Sequence, residues 1–100
     1  MNDTLQPLAD DNFCYLTTTG RNSGRPHTIE IWFALNGDTL YLLSEGRERS
    51  DWVKNIARHP EVQVRIRAQV FNGQARLVTD TQEDALARNM FCEKYTYKWV

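Results

Sequence analysis

Apolar and polar residues alternate through the first half of the chain in a pattern that predicts three strands. "FCYLTTT" (13–19) is rich in aromatic and β-branched residues, as strands are. In "HTIEIWFAL" (27–35), one face carries the side chains of His27, Ile29, Ile31, Phe33 and Leu35. "NGD" (36–38) is a hairpin signal, because Asn and Gly tolerate the positive φ of such turns. With "TLYLLS" (39–44) returning, residues 13–44 are predicted to form an antiparallel meander.

The pattern changes to a helical period after the third strand. Ser50 is predicted to cap this helix, and Asp51 adds negative charge to its first turn. His59-Pro60 ends it, because the residue before proline disfavours the α region. The predicted apolar stripe consists of Trp52, Val53, Ile56 and Ala57.

The second half of the chain predicts two more strands and a second helix. "EVQVRIRA" (61–68) alternates, and a further strand is expected over about 70–78. Local rules place the turn of this further strand at Asn72-Gly73. A turn at that place would leave only about five residues for the returning strand. We therefore favour a turn near 67–69 and interpret Gly73 as a bulge. Asp80 and Glu83 have capping-box spacing. The helix that follows carries an apolar face of Leu86, Ala87, Met90, Phe91 and Tyr95.

Together these elements predict a mainly β (α+β) domain. Five antiparallel strands, a short helix after the third strand and a C-terminal helix favour a small barrel, because closure removes exposed strand edges. The 100 residues fit a single domain, with residues 1–12 as a loosely structured leader.

Composition narrows the classes of function. The net charge is −1, which argues against a general nucleic-acid-binding protein. No apolar run approaches 18 residues, so no membrane span is predicted. Cys14 and Cys92 lack metal-ligand or redox-motif spacing, so we expect free thiols in a reducing, cytoplasmic compartment, with Cys14 in the core.

Common catalytic and metal-binding motifs are missing from the sequence. It has no H-E-x-x-H and no G-x-S-x-G. His27 and His59 are far apart, so structural roles are expected for both and no metal site is predicted.

Anion recognition is the chemistry that remains. The chain has nine arginines and three lysines, and arginine suits bidentate recognition of phosphate and carboxylate groups. One loop contains Arg21, Asn22, Ser23, Gly24 and Arg25. A second, just before a helix N-terminus that favours anions, contains Ser44, Glu45, Gly46, Arg47 and Arg49. A meander places both loops at one end of the sheet. The alternative interpretation is two solvated loops with surface arginines.

The order of motifs adds a resemblance. "LTTTGRNSGRPHTIEIWF", "GDTLYLLSEGRERSDWVKNI" and "HPEVQVRI" follow one another in the chain. Over about residues 13 to 80 the chain resembles the deazaflavin-dependent nitroreductase family. These are split-barrel proteins related to FMN-binding, pyridoxamine 5'-phosphate-oxidase-like folds. The resemblance implies coenzyme F420 as cofactor, with FMN as the alternative.

The resemblance also assigns roles to residues. It implies that the loop of Arg21, Asn22, Ser23, Gly24 and Arg25 holds the cofactor phosphate. Leu43 and Ser44 are expected against the ring and Arg47 near the acidic tail, while Trp52 and Asn55 complete the pocket. Family members have aromatic residues that shape the substrate mouth, and Tyr95, Tyr97 and Trp99 occupy that region. The candidates for steadying the ring or supplying a proton are Ser44, Tyr95 and Tyr97.

The implied function is that of an oxidoreductase. Hydride would pass between the cofactor and a flat, electron-poor acceptor such as a quinone, nitroaromatic or enone. Two alternatives stay open: binding of a flavin, deazaflavin or tetrapyrrole without turnover, and a small barrel that binds nucleic acid. The family has one more strand after this region, so we expect either a longer natural chain or a homodimer that covers the open edge.

Overall fold

The computed structural model describes residues 11–43 and 50–95, which form five strands and two helices. In chain order they are β1 (Phe13–Thr19), β2 (Pro26–Asn36), β3 (Thr39–Leu42), α1 (Asp51–Arg58), β4 (Glu61–Ile66), β5 (Gln69–Gln74) and α2 (Thr81–Tyr95).

All five strands form one antiparallel sheet in the order β3-β2-β1-β4-β5. The first three make the predicted meander, and β4 then pairs with the other side of β1. The sheet is a half-barrel, and with its two helices it confirms the predicted split-barrel α+β fold. Its central strand, β1, is therefore held on both sides by backbone hydrogen bonds.

The β2–β3 and β4–β5 hairpins show where local turn rules hold and where they fail. Asn36 pairs with Thr39 across Gly37, whose φ of +60° is the conformation that glycine favours. The β4–β5 turn lies at residues 67–68, as expected, but Arg67 supplies its positive φ of 57°. The predicted bulge at Gly73 is wrong. Pairing continues without interruption from Ile66 with Gln69 to Glu61 with Gln74, where β5 ends.

The main core lies on the inner face of the sheet. It contains Cys14, Leu16, Phe33, Leu35, Val64 and Ile66, with Trp52 of α1 packed against them. Val53 and Ile56 of α1 are also buried, whereas Ala57 of the predicted stripe is exposed. Each large apolar side chain buried here contributes roughly 1.5–3 kcal/mol to stability. The expected core position of Cys14 is confirmed.

A second cluster forms where α2 packs against the opposite face. Its buried members are Ala34, Tyr41, Phe91 and Tyr95. Ala34 reaches it because neighbouring residues of a strand point to opposite faces. Leu86 was predicted on the packed face of α2, but it is 44% exposed. Only Phe91 and Tyr95 of α2 are buried, so the buried stripe is narrower than the sequence indicates.

The helix termini differ in how they are capped. The Asp80 side chain accepts a 2.8 Å hydrogen bond from the Glu83 N–H, as the capping-box spacing predicts. Ser50 has an extended backbone before α1 but makes no side-chain capping bond, so the predicted cap is wrong. At the other end of α1, His59 donates its N–H to the Asn55 carbonyl, and the helix ends before Pro60 as expected.

Most of the predicted leader, residues 1–10, lies outside the described residues. Asp11 and Asn12 are described and both contact the body. Asp11 forms an ion pair with Arg67, with a shortest distance of 2.6 Å, and the Asn12 carbonyl accepts a hydrogen bond from the Tyr95 hydroxyl. These two residues therefore contact the body of the domain, and the loose structure expected for residues 1–12 stays a prediction.

Candidate functional site

The β1–β2 loop is closed by its own backbone. The Gly20 N–H donates to the Arg25 carbonyl at 2.8 Å, and the Gly24 N–H donates to the Gly20 carbonyl at 2.9 Å. The Ser23 hydroxyl accepts the Arg25 N–H at 3.2 Å. Gly24 has a φ of +71°, which side chains rarely tolerate. The small residues in this stretch therefore specify a tight turn.

Gly20 allows two polar side chains to approach the turn closely. A Cβ at this position would lie 2.5 Å from the Ser23 hydroxyl and 2.8 Å from Nε2 of His27. Both distances are shorter than real Cβ contacts allow. The turn thus holds Ser23 and His27 against its own backbone.

Arg21 and Asn55 join the loop to α1. Oδ1 of Asn55 accepts hydrogen bonds from the Arg21 N–H at 3.1 Å and from its Nη1 at 3.0 Å. Nη2 of Arg21 also pairs with Asp51 at 3.3 Å. Asn55 Nδ2 donates to the hydroxyl of Thr18 at 3.1 Å, and both residues are buried. The buried amide is therefore satisfied on both sides and fixes the position of the loop.

Arg25 is placed differently from Arg21. Its side chain is exposed and, among residues 11–43 and 50–95, it makes no hydrogen bond or ion pair. Its guanidinium is available to an external anion, whereas that of Arg21 is engaged by α1. The two arginines that look equivalent in sequence therefore have different surroundings.

An apolar groove lies on the other side of α1. It has a volume of about 700 Å³, which is within the range of small-molecule sites. Leu42 and Leu43 line it from the end of β3, Trp52 and Ile56 from α1, and Phe71 from β5. Leu43, which was expected against the cofactor ring, and Trp52, which was expected to complete the pocket, therefore share one groove.

Charged residues line a further part of this groove: Arg76, Asp84 and Arg88. Arg76 forms two hydrogen bonds with Glu83, at 2.9 and 3.1 Å, and Tyr41 donates to the same carboxylate at 2.8 Å. The Arg76 guanidinium, and then the Tyr41 hydroxyl, lower the pKa of Glu83. The hydrogen bond to Glu83 raises the pKa of Tyr41. This network ties the segment after β5 to β3 and α2.

The expected site residues fall into three groups. Arg21, Asn22, Ser23, Gly24, Arg25 and Asn55 come together at the loop, while Leu43 and Trp52 come together at the groove. Ser44, Arg47 and Tyr97 lie outside the described residues.

Tyr95 is the one proton-donor candidate that is described. It is buried in the second cluster, and its hydroxyl accepts the Phe33 N–H at 3.0 Å and lies 2.7–2.8 Å from two carbonyl oxygens. Burial raises the pKa of Tyr95. Because the hydroxyl is engaged within the core, it is a structural group in this fold.

Thr18 and Arg76 were missed by sequence reasoning. Thr18 follows Cys14 and Leu16 at strand period, so it lies on the buried face, and a buried hydroxyl needs a partner. That signal was present in the sequence. Arg76 had none, because its contacts come from the distant Glu83.

Two features are absent from the described residues, a metal-binding cluster and a membrane-spanning helix. Across residues 11–43 and 50–95, no three His, Cys, Asp or Glu side chains are grouped to hold a metal ion. Neither helix in that part of the chain has the length and apolar character needed to cross a membrane.

Solved structures share this fold. A candidate 5-nitroimidazole antibiotic resistance protein from Bacteroides thetaiotaomicron superposes with a TM-score of 0.76 at 17% identity, covering 95% of this chain and 66% of that one. A protein described as a domain-swapped dimer gives 0.72 at 22% identity, with 87% and 67% covered. An F420-H2 dependent reductase gives 0.70 at 20% identity, with 86% and 78% covered. The chain therefore spans about two thirds of the length of the first two.

The family comparison covers nearly the whole chain. The model of the F420H2-dependent quinone reductase family matches residues 3–99. This match confirms the resemblance drawn from the loop, hairpin and helix motifs. The chain belongs to the F420H2-dependent quinone reductase family, a family of F420-dependent oxidoreductases.

Proposed function

We propose that this protein binds reduced F420 and uses it to reduce a flat, electron-poor acceptor, with quinones as the first class to test. The observation that supports this most directly is the arrangement around α1. One side of the helix fixes an anion-recognition loop through Asn55, and Trp52 of the same helix lines an apolar groove of about 700 Å³. An F420 molecule has both a phosphate-bearing tail and an apolar ring, so it needs both kinds of surface.

The loop would hold the phosphate. Arg25 offers a guanidinium without a partner among the described residues, and Asn22 and Ser23 are exposed beside it. Guanidinium–phosphate hydrogen bonds are charge-assisted and can be bidentate. Arg21 contributes by keeping the loop against α1 rather than by direct contact.

The groove would hold the ring. Leu43 and Trp52 present apolar surface to a planar group, and the apolar lining excludes water from the reacting atoms. F420, when bound, supplies hydride transfer, so the protein has to bind, orient and desolvate rather than provide a nucleophile. Ser44 and Tyr97 stay proposed as groups that steady the ring or supply a proton, and Arg47 as a contact to the tail.

Titration tests the cofactor proposal. Purified protein is titrated with F420 and, separately, with FMN, and binding is followed by fluorescence. We expect tighter binding of F420, weakened about tenfold or more by Trp52→Ala because a large contact surface is lost. Leu86→Ala is the matched control, since Leu86 is exposed and does not line the groove. Tight FMN binding without F420 binding would place the chain with the FMN-dependent alternative.

Turnover is tested separately from binding. Reduced F420 is mixed with the protein and a quinone, a nitroaromatic or an enone, and the return of oxidised F420 absorbance is recorded. Oxidation of reduced F420 with the quinone supports the proposed activity. The reactions with the nitroaromatic and the enone show whether these acceptors are also used. F420 binding without oxidation by any of the three would favour the non-catalytic alternative.

We also propose a homodimer in the cytoplasm. The described structure has no disulfide between its two cysteines, Cys14 being buried and Cys92 exposed, which fits a reducing compartment. A relative of the same fold is described as a domain-swapped dimer. Light scattering coupled to size exclusion tests the pairing, and a monomer at all concentrations would refute it.

A further inference from the structure

The side of the sheet opposite the main core is not covered by α2 over most of its width. We call this the outer face and define it by Phe13, Tyr15, Thr17, Thr28, Glu30, Trp32, Gln63, Arg65 and Val70, which share it by strand alternation and register. Phe13 is 38% exposed and Val70 51%, while Trp32, which is 45% exposed, has one side of its ring stacked on Tyr95 of α2 at 4.5 Å. Exposed apolar residues that lie together on one surface often mark an interaction site.

The aromatic residues of the outer face are held in place. The rings of Phe13 and Tyr15 meet edge to face at 5.9 Å. The guanidinium carbon of Arg65 lies 4.2 Å from the centre of the Tyr15 ring, and its Nη1 donates to the Arg67 carbonyl at 2.8 Å. The centre of the face is therefore an ordered surface rather than a set of loose side chains.

Two opposite charges flank the central strand at the same level. Tyr15 on β1 pairs with Glu30 on β2 and with Arg65 on β4. Strand spacing puts the two charged residues about 10 Å apart, which is too far for them to neutralise each other directly. Within the described part of the chain, the Glu30 carboxylate has no hydrogen bond or ion pair.

We propose that the outer face binds the outer face of a second copy of this chain, around a two-fold axis parallel to β1. Such an axis places the β2 side of one sheet over the β4 side of the other. Glu30 of each copy then faces Arg65 of the other copy, and Thr28 faces Gln63, because both members of each pair share a level on β1. Tyr15 and Thr17 face their own counterparts at the centre.

Charge complementarity selects a second copy over other occupants. At the level of Tyr15 the face carries Glu30 on one side of β1 and Arg65 on the other, so it is complementary to itself there under this axis. An acidic or a basic partner would satisfy one charge and oppose the other. The net charge of −1 adds little repulsion between copies.

This inference rests on the homodimer proposed above and adds the surface that forms it. It is independent of the cofactor. An exchange of strands between copies would also give a dimer, but it would not depend on Glu30 and Arg65. The experiments below therefore distinguish dimer formation in general from dimer formation through the outer face.

Charge reversal is the first test, with the full chain examined by sedimentation velocity over a range of concentrations. Glu30→Arg and Arg65→Glu should each raise the dimer dissociation constant about tenfold or more, because each change occurs twice at a two-fold interface. The double variant E30R/R65E should recover affinity close to that of the wild type. Recovery cannot result from misfolding, so it is the decisive result.

Crosslinking on the axis is the second test. In a Cys92→Ser background, Thr17→Cys should be joined to its counterpart by a bifunctional thiol crosslinker that spans about 10 Å, the usual separation of two packed sheets, because Thr17 would lie on β1 opposite its own counterpart. Gln74→Cys is the control, since Gln74 is exposed on the edge strand β5, two strands from the axis.

Three outcomes have different meanings. A wild-type monomer would overturn both the homodimer and this interface. A dimer that ignores both charge reversals and does not crosslink at position 17 would keep the homodimer but overturn the outer face, in favour of strand exchange or another surface. Weakening by each single reversal, with recovery in the double variant, supports the proposal.

Discussion

At the residue scale, two arginines four positions apart have different tasks. The side chain of Arg21 bonds to Asn55 and Asp51, whereas the guanidinium of Arg25 has no partner among the described residues. The sequence presents them as a symmetric pair around Asn22-Ser23-Gly24. The structure separates an arginine that positions the loop from one that is available to an anion.

Substitution should separate the two roles. Arg25→Ala should weaken F420 binding about tenfold or more, because a charge-assisted hydrogen bond contributes roughly 1.5–3 kcal/mol. The melting temperature should not change. Arg21→Ala should instead lower the free energy of unfolding by about 1 kcal/mol, since the exposed ion pair contributes little and the bond to the buried Asn55 more. Fluorescence titration and urea unfolding measure the two effects.

Lys54→Ala is the matched control for both arginines. It removes a positive charge from the exposed side of α1 without touching the loop. Equal losses of F420 affinity in the Lys54 and Arg25 variants would mean that general charge, not the loop, attracts the cofactor.

At the element scale, α2 depends on its first turn. Asp80 caps the helix, and Glu83 links it to Arg76 and to Tyr41 of β3. The sequence predicts the cap, because Asp80 and Glu83 have the required spacing. It does not predict the link, because Arg76 and Tyr41 belong to other elements.

Removing the cap should weaken α2. Asp80→Ala should cost about 1 kcal/mol of stability, since a backbone N–H of the first turn loses its acceptor. Asp80→Asn keeps a side-chain oxygen at the same place and should cost much less. Urea unfolding monitored by circular dichroism measures both. An alanine variant as stable as the wild type would contradict the role of the cap.

The Glu83 link should make stability depend on acid pH. Its pKa lies below the ordinary value of 4.5, so the ionised carboxylate stabilises the folded state above that value. This stabilisation is lost as the pH falls through the lowered pKa. Glu83→Gln should therefore flatten the decline of melting temperature below pH 4.5. An unchanged decline would assign the acid sensitivity to other carboxylates.

At the scale of the whole molecule, the two thiols differ in what must unfold before they can react. Cys14 lies on the central strand with no exposed surface, and burial raises its pKa to about 11. Cys92 is exposed on α2. The contrast follows from topology, because β1 is paired on both sides.

Thiol labelling should follow this contrast. In native protein one thiol per chain should react at neutral pH, and Cys92→Ser should abolish that reaction. Cys14 should react only through global unfolding, since the central strand opens with the whole domain. Its rate should therefore rise with urea in parallel with the unfolding transition. Rapid native labelling of Cys14 would show that β1 opens locally.

The sequence by itself determined the strands, the hairpin at Asn36-Gly37, both helices and the tight β1–β2 turn. These features rest on local physics: alternation of side chains, the positive φ that glycine allows and the capping geometry of Asp80. The motif order also indicated the family. Local rules also indicated a turn at Asn72-Gly73, and the bulge expected at Gly73 in its place is wrong, because an unbroken register across β4 and β5 gives a regular strand there.

Only the tertiary structure decided which predicted residues share a site. It brought Thr18, Arg21 and Asn55 together, enclosed Tyr95 in a core and placed Leu43 and Trp52 on one groove. These contacts join residues that are far apart in the chain, such as Thr18 and Asn55. They depend on how the sheet curves and where the helices pack, and no local pattern encodes the distance between such residues.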